Sequence, residues 1–214
     1  MWGIDLITLA IIGANVAISV KGFEDFYFKE KYKFNVAAIH RGEHLRFLSS
    51  GFLHADWTHL LFNMLTLYFF AGNVIFYLGL LPFVLIYFGS LIGGNFLSFA
   101  FHKKEYHYSA LGASGAVTGV LFAFVLLEPN STLLLFFFPI KAWLFGILYL
   151  GFSIYGMKKQ LGNIGHDAHF GGAVVGYVLT IIFKPSLLND HLNTILLLAV
   201  PIVALFVLMQ RKQL

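Results

Sequence analysis

The chain has 214 residues, 59% of them hydrophobic and only 11% charged, with a mean hydropathy of +0.81; a soluble domain carries about a quarter charged residues. A soluble globular fold and intrinsic disorder are excluded as main readings, and what remains is a membrane protein. The formal net charge is +4, but the 14 Lys and Arg are spread over several short polar segments, a pattern of membrane-flanking charge rather than of a nucleic-acid groove. No nucleic-acid partner is therefore expected. The absence of Cys removes disulfides, thiol catalysis and thiolate metal sites.

Crossing a hydrocarbon core of about 30 Å takes about 20 apolar residues, and most of the sequence can be assigned to such stretches. In chain order the predicted helices run from about Ile4 to Val20, Thr58 to Leu78, Leu80 to Phe101, Ser114 to Leu127, Ala142 to Gly156, Ala168 to Phe183 and Leu192 to Met209. The first lacks the basic start and small-residue cleavage site of a secretory signal, so it reads as a retained helix. Lys21 to Asp56 is the longest polar segment, and its mixture of Phe23, Phe26, Tyr27 and Phe28 with Lys29, Glu30, Lys31 and Lys33 suits an ordered loop in the headgroup layer. Between Pro129 and Lys141, the run Leu133 to Phe138 is too short to span and reads as an interfacial or re-entrant piece.

The fourth helix is unusual. Ser114 to Glu128 is 15 residues, about 22 Å at 1.5 Å each, so its start must lie below the membrane surface. The polar run His102 to Ser109 reaches inward to meet it, and such backbone is tolerated only where it packs in protein or lines water.

Polar side chains within apolar helices are costly and tend to be functional. Ser114, His59, Asn63 and His169 stand out. Ser114 sits in Gly112-Ala113-Ser114-Gly115 at a helix N-terminus, where free N–H groups and the positive dipole end favour a developing anion; the motif taken alone fits a simple N-cap better than a nucleophile. His169 lies three residues before Gly172 and seven before Gly176, so all three share one face, and Gly115 and Gly119 form a matching small-residue face on the fourth helix. Two such faces let backbones approach closely and would bring the Ser hydroxyl within reach of the imidazole; ordinary helix packing with His169 as a satisfied polar group fits the same spacing. His59 and Asn63, at i and i+4, could supply oxyanion donors or interhelical hydrogen bonds. His54, His59, His166 and His169 make two His pairs, but no His-Glu-x-x-His helix supplies metal ligands together with a base, and no metal is expected. Asp167, two residues before His169, points to a different helix face and makes a poor third member of a triad.

Collectively these residues resemble the rhomboid family of intramembrane serine proteases. Three motifs in order carry the resemblance over nearly the whole chain: His54 followed by His59-Leu60-Leu61-Phe62-Asn63, Gly112-Ala113-Ser114-Gly115, and Ala168-His169-Phe170-Gly171-Gly172 with Gly176. The resemblance implies an all-α polytopic membrane bundle, a single rhomboid-like domain over 1–214 with a six-helix core at about 1–184 and an extra C-terminal helix at about 190–210. It implies Ser114 as nucleophile, His169 as general base, and His59 and Asn63 at the oxyanion, without a cofactor. The implied partners are the bilayer and transmembrane segments of other membrane proteins, with a bacterial cell (inner) membrane as the expected location; the alternative function is a non-catalytic member that binds transmembrane clients. Two positions depart from the family's pattern. Leu45-Arg46 stands where a Trp-Arg pair is usual, and Thr118 stands where an aromatic often stacks on the catalytic His. Orientation is drawn two ways: the positive-inside rule would put the Lys-rich first loop in the cytoplasm, whereas the family implies that it faces outward. Ser114 and His169 share a side in either case.

Overall fold

Short acidic side chains start the first helices. Asp5 accepts a hydrogen bond from the Ile7 amide, Asp25 from Phe28 and Asp56 from His59, the N-cap arrangement that satisfies otherwise unpaired amides. In the computed structural model, which describes residues 5–135, 137–161 and 165–211, these caps open α1 (Leu6–Glu24), α2 (Phe26–Tyr32) and α5 (Trp57–Leu78). Ile4, the expected start of the first helix, lies outside the described residues. Between α2 and α5 come β1 (Phe34–Asn35), α3 (Val36–His40), α4 (Arg46–Ser49) and a 3-10 turn at Ser50–Phe52. Gly79 alone separates α5 from α6 (Leu80–His102). Then follow β2 (Ser109–Ala110), α7 (Ser114–Leu127), β3 (Thr132–Leu135), β4 (Phe138–Lys141), α8 (Ala142–Lys159), α9 (His166–Phe183), α10 (Leu187–Asp190) and α11 (Leu192–Gln210).

The result is a polytopic helical bundle. α1, α5, α6 and α11 are each long and apolar enough to cross a membrane on their own. α7 is shorter, at 14 residues or about 21 Å, and it is the centre of the bundle: Gly115 to Leu127 are all buried, packed among α5, α6, α8 and α9. A helix apolar on every face belongs in such a position. α11 leans on α8 and α9, with the Tyr177 hydroxyl donating to the Ile195 carbonyl at 3.0 Å and Leu198 beside Gly146.

The long first loop is ordered, as its composition suggested, and the structure gives the reason. Phe34, Val36, Ile39 and Phe47 form a small core of their own. Arg46, buried, donates through Nη1 to the carbonyls of Glu30 and Lys33 at 2.8 and 2.7 Å and through Nε and Nη2 to Glu43. Of the Leu45-Arg46 pair only Arg46 anchors, since Leu45 is exposed. β1 pairs antiparallel with β2, Phe34 opposite Ala110 and Asn35 opposite Ser109, which fastens this loop to the segment entering α7. The piece between Pro129 and Lys141 is an antiparallel hairpin, Thr132 opposite Lys141 through Leu135 opposite Phe138. Phe136 lies outside the described residues, while Phe137, at φ 72°, is 95% exposed.

Candidate active site

Ser114 is the first residue of α7, and Ala113 occupies the N-cap position without a side-chain cap. The Ser114 hydroxyl therefore does not cap its own helix; Oγ lies 2.6 Å from Nε2 of His169. The packing that brings them together is a backbone contact between helices. A Cβ added at Gly172 would strike the Gly115 carbonyl, and one at Gly176 the Gly119 carbonyl, so only glycine lets α9 lie this close to α7. The two small-residue faces meet each other, and His169, one turn before Gly172, is carried to the start of α7.

The approach to Ser114 is fixed amide by amide. Gly112 donates its N–H to the Ser50 carbonyl at 3.0 Å, and its φ of 135° is one that side-chain-bearing residues rarely adopt. A Cβ there would also meet the His59 ring at 2.7 Å and Ser114 Oγ at 3.5 Å. His59 and Ser114 thus flank the same backbone position. The Ala113 amide donates to His54 Nε2 at 3.4 Å, His54 Nδ1 bonds Ser19 Oγ at 2.8 Å, and Ser19 Oγ lies 2.9 Å from the Phe52 carbonyl. With Nε2 accepting, Nδ1 carries the proton and donates to Ser19, whose own proton goes to Phe52. That chain needs a neutral imidazole. Burial, aided by neighbouring His59 and opposed by Asp56, pulls the His54 pKa down to about 3. His54 is therefore a brace between α1 and the entry to α7.

Asn63 sits one turn along α5 from His59, buried, and donates through Nδ2 to the His59 carbonyl at 3.1 Å. Among the described residues this is its only side-chain hydrogen bond, and it leaves the second Nδ2 hydrogen available. Asp167 turns away from His169: its Oδ2 lies 3.2 Å from Nε2 of His102, whose Nδ1 lies 3.0 Å from Glu105. His102 stacks flat on Tyr108. A cavity of about 360 Å³ beside this cluster is lined by His102, Glu105, Tyr108, His166 and Asp167, among others, and by neither Ser114 nor His169. Among the described residues no three His, Cys, Asp or Glu side chains are grouped to hold a metal.

Sequence reasoning missed one neighbour of His169. The Tyr149 ring, on α8, lies nearly parallel to the imidazole, 23° between planes and 6.4 Å between centroids, and its hydroxyl is 3.1 Å from Thr118 Oγ1. In the sequence Thr118 only marks a position without an aromatic. The ring arrives instead from another helix.

A bundle with an all-buried short helix, opened by a serine that faces a histidine across a glycine crossing, defines a polytopic helical membrane protein with a serine–histidine site. A family model described as Rhomboid domain matches residues 41–186, and the chain belongs to the rhomboid family. It is 28% identical over 186 residues to RHOMBOID-like protein 12, mitochondrial, of Arabidopsis thaliana, covering 79% of this chain and 55% of that protein. It is 34% identical over 134 residues to Rhomboid protein 1, mitochondrial, of Saccharomyces cerevisiae, covering 60% and 39%. It is 31% identical over 146 residues to the protein named "Putative rhomboid protease YdcA" of Bacillus subtilis, covering 67% and 69%. The chain thus spans about half the length of the Arabidopsis protein and less of the yeast one.

Proposed function

We propose that this protein is an intramembrane serine endopeptidase that cleaves transmembrane segments of other membrane proteins, with Ser114 as nucleophile and His169 as general base. The observation that carries this reading is the 2.6 Å separation of Ser114 Oγ and His169 Nε2 at the N-terminus of a buried helix. Nε2 accepts the serine proton as Oγ attacks the substrate carbonyl, so the neutral His169 carries its own proton on Nδ1. The negative charge that develops on the carbonyl oxygen meets the unpaired N–H groups at the start of α7. His59, beside Gly112, and the free Nδ2 hydrogen of Asn63 supply further donors. The acyl-enzyme is then hydrolysed by water, with His169 returning the proton.

On this reading the chain acts as a single rhomboid-like domain with α11 added to the core. It works inside a bilayer; the relatives include mitochondrial as well as bacterial proteins, so the expected bacterial cell (inner) membrane is not supported. The loop holding Lys29 to Lys33 faces outward, and an accessibility tag inserted after Lys33 and found in the cytoplasm would reverse that assignment.

The test is labelling of the detergent-solubilised protein with a fluorophosphonate probe, together with cleavage of a panel of single-span substrates. Ser114 should be labelled, and His169→Ala should abolish labelling because an unactivated serine is a weak nucleophile. Ser114→Ala should lose labelling and cleavage while unfolding at an unchanged temperature. Cleavage that persists in folded Ser114→Ala protein would refute the serine mechanism.

A further inference from the structure

We propose that Tyr149 is a positioning residue for His169: its ring face holds the plane of the imidazole, and its hydroxyl refers that plane to the helix that carries Ser114. The proposal rests on the serine–histidine reading above. A general base must present its lone pair along the line of the serine O–H, and a serine hydrolase ordinarily fixes its imidazole with a third group on Nδ1. Here the nearest carboxylate in sequence, Asp167, is engaged with His102. Among the described residues the only hydrogen bond of the His169 side chain is to Ser114. One bond at Nε2 fixes where that atom sits but leaves the ring able to turn about the line from Cβ to Nε2. The near-parallel Tyr149 ring restricts that turn.

Tyr149 is itself held on several sides. Phe145 and Phe122 pack against it at 5.7 and 5.8 Å between ring centroids. Its hydroxyl meets Thr118 Oγ1, and Thr118 is four residues after Ser114, on the same face of α7. Nucleophile and base plane are thereby referred to one helix, although the ring that sets the plane comes from α8.

Two substitutions separate the ring from the hydroxyl. Tyr149→Phe keeps the flat face and loses the bond to Thr118; Tyr149→Leu keeps apolar bulk and loses the face. In the full-length protein in detergent, the rate of Ser114 labelling by the fluorophosphonate should be measured against pH, with kcat and KM on a cleaved single-span substrate and the unfolding midpoint. Tyr149→Phe should stay within about threefold of wild type, whereas Tyr149→Leu should slow labelling and kcat by about 10- to 100-fold, the cost of a misplaced catalytic group. KM should hold within about twofold and the pH profile of labelling should shift, because the base then sits in altered surroundings. Wild-type labelling rate and pH profile in Tyr149→Leu would overturn the proposal, as would equal losses in both variants tracking their unfolding midpoints. If wild-type protein is not labelled at Ser114, it is the serine–histidine reading that falls.

Discussion

Where α9 crosses α7, backbone touches backbone, with Gly172 against the Gly115 carbonyl and Gly176 against that of Gly119. α8 reaches the same region through a side chain, Tyr149 toward His169 and Thr118, and its Gly146 receives Leu198 of α11. Its own Gly151 faces open space. The two contacts differ in what they can absorb. Side chains can change rotamer to accommodate a neighbour, but apposed main chains cannot, and close-packed interiors transmit the resulting shift. On the proposed reading, the distance between Ser114 and His169 is set by the rigid contact, and the tilt of the His169 ring by the adjustable one.

The largest effect should come from breaking the rigid contact. Gly172→Val should destabilise the protein in detergent by about 3 kcal/mol or more, at or beyond the upper end for overpacking, and abolish Ser114 labelling. Gly151→Ala on α8 should leave labelling unchanged and hold or raise the unfolding midpoint, since alanine is favoured over glycine in a helix by up to about 1 kcal/mol. A comparable loss in both would mean that the two helices are not held differently.

Next in size is Asn63→Ala, which leaves the α7–α9 crossing untouched while removing the proposed oxyanion donor. Turnover should fall by up to about 10² to 10³-fold, with an unfolding midpoint close to wild type. Unchanged turnover would restrict Asn63 to its bond with the His59 carbonyl.

The smallest effect concerns pH and the brace on the far side of Ser114. His54 titrates near 6.5 when unfolded and at about 3 when folded, so below pH 6.5 the unfolded chain binds a proton that the fold refuses. The stability due to neutral His54 is full above about pH 6.5 and is lost progressively as pH falls toward 3. Unfolding midpoints across that window should drop more steeply in wild type than in His54→Asn. Equal slopes would show that His54 is not the group responsible.

The parts of this site that could be read from sequence are those set by spacing along one helix. His169, Gly172 and Gly176 declare a shared face by their intervals, as do Gly115 and Gly119, and His59 with Asn63. The short fourth helix was legible from its length alone. Tyr149 was not, because its relation to His169 crosses from α8 to α9 and nothing in the intervals of either helix encodes it; the missing aromatic at Thr118 was the single hint. The partners of His54 were hidden for the same reason, since Ser19 and Ala113 lie on opposite sides of it in the chain. The hairpin after α7 is too short in sequence to cross, but its pairing is obscured by a run of Leu and Phe without alternation. Arg46 could be singled out by family pattern, whereas its carbonyl acceptors, Glu30 and Lys33, emerge only once the first loop folds back on itself.

The burial of α7 on every side, from Gly115 to Leu127, also separates the helix that begins at Ser114 from the lipid. Bilayers differ in thickness by several Å, and a lipid-facing helix answers such a mismatch by tilting or by thinning the membrane around it. α7 is walled off by its neighbours, and its 14 residues are free of any requirement to match the hydrocarbon layer. Thicker or thinner membranes press first on the outward faces of the surrounding helices, and Ser114 feels them through α5, α6, α8 and α9, which pack around α7. On the proposed reading, the depth at which a peptide bond would meet Ser114 is consequently a property of the protein, carried with the bundle from one lipid composition to another.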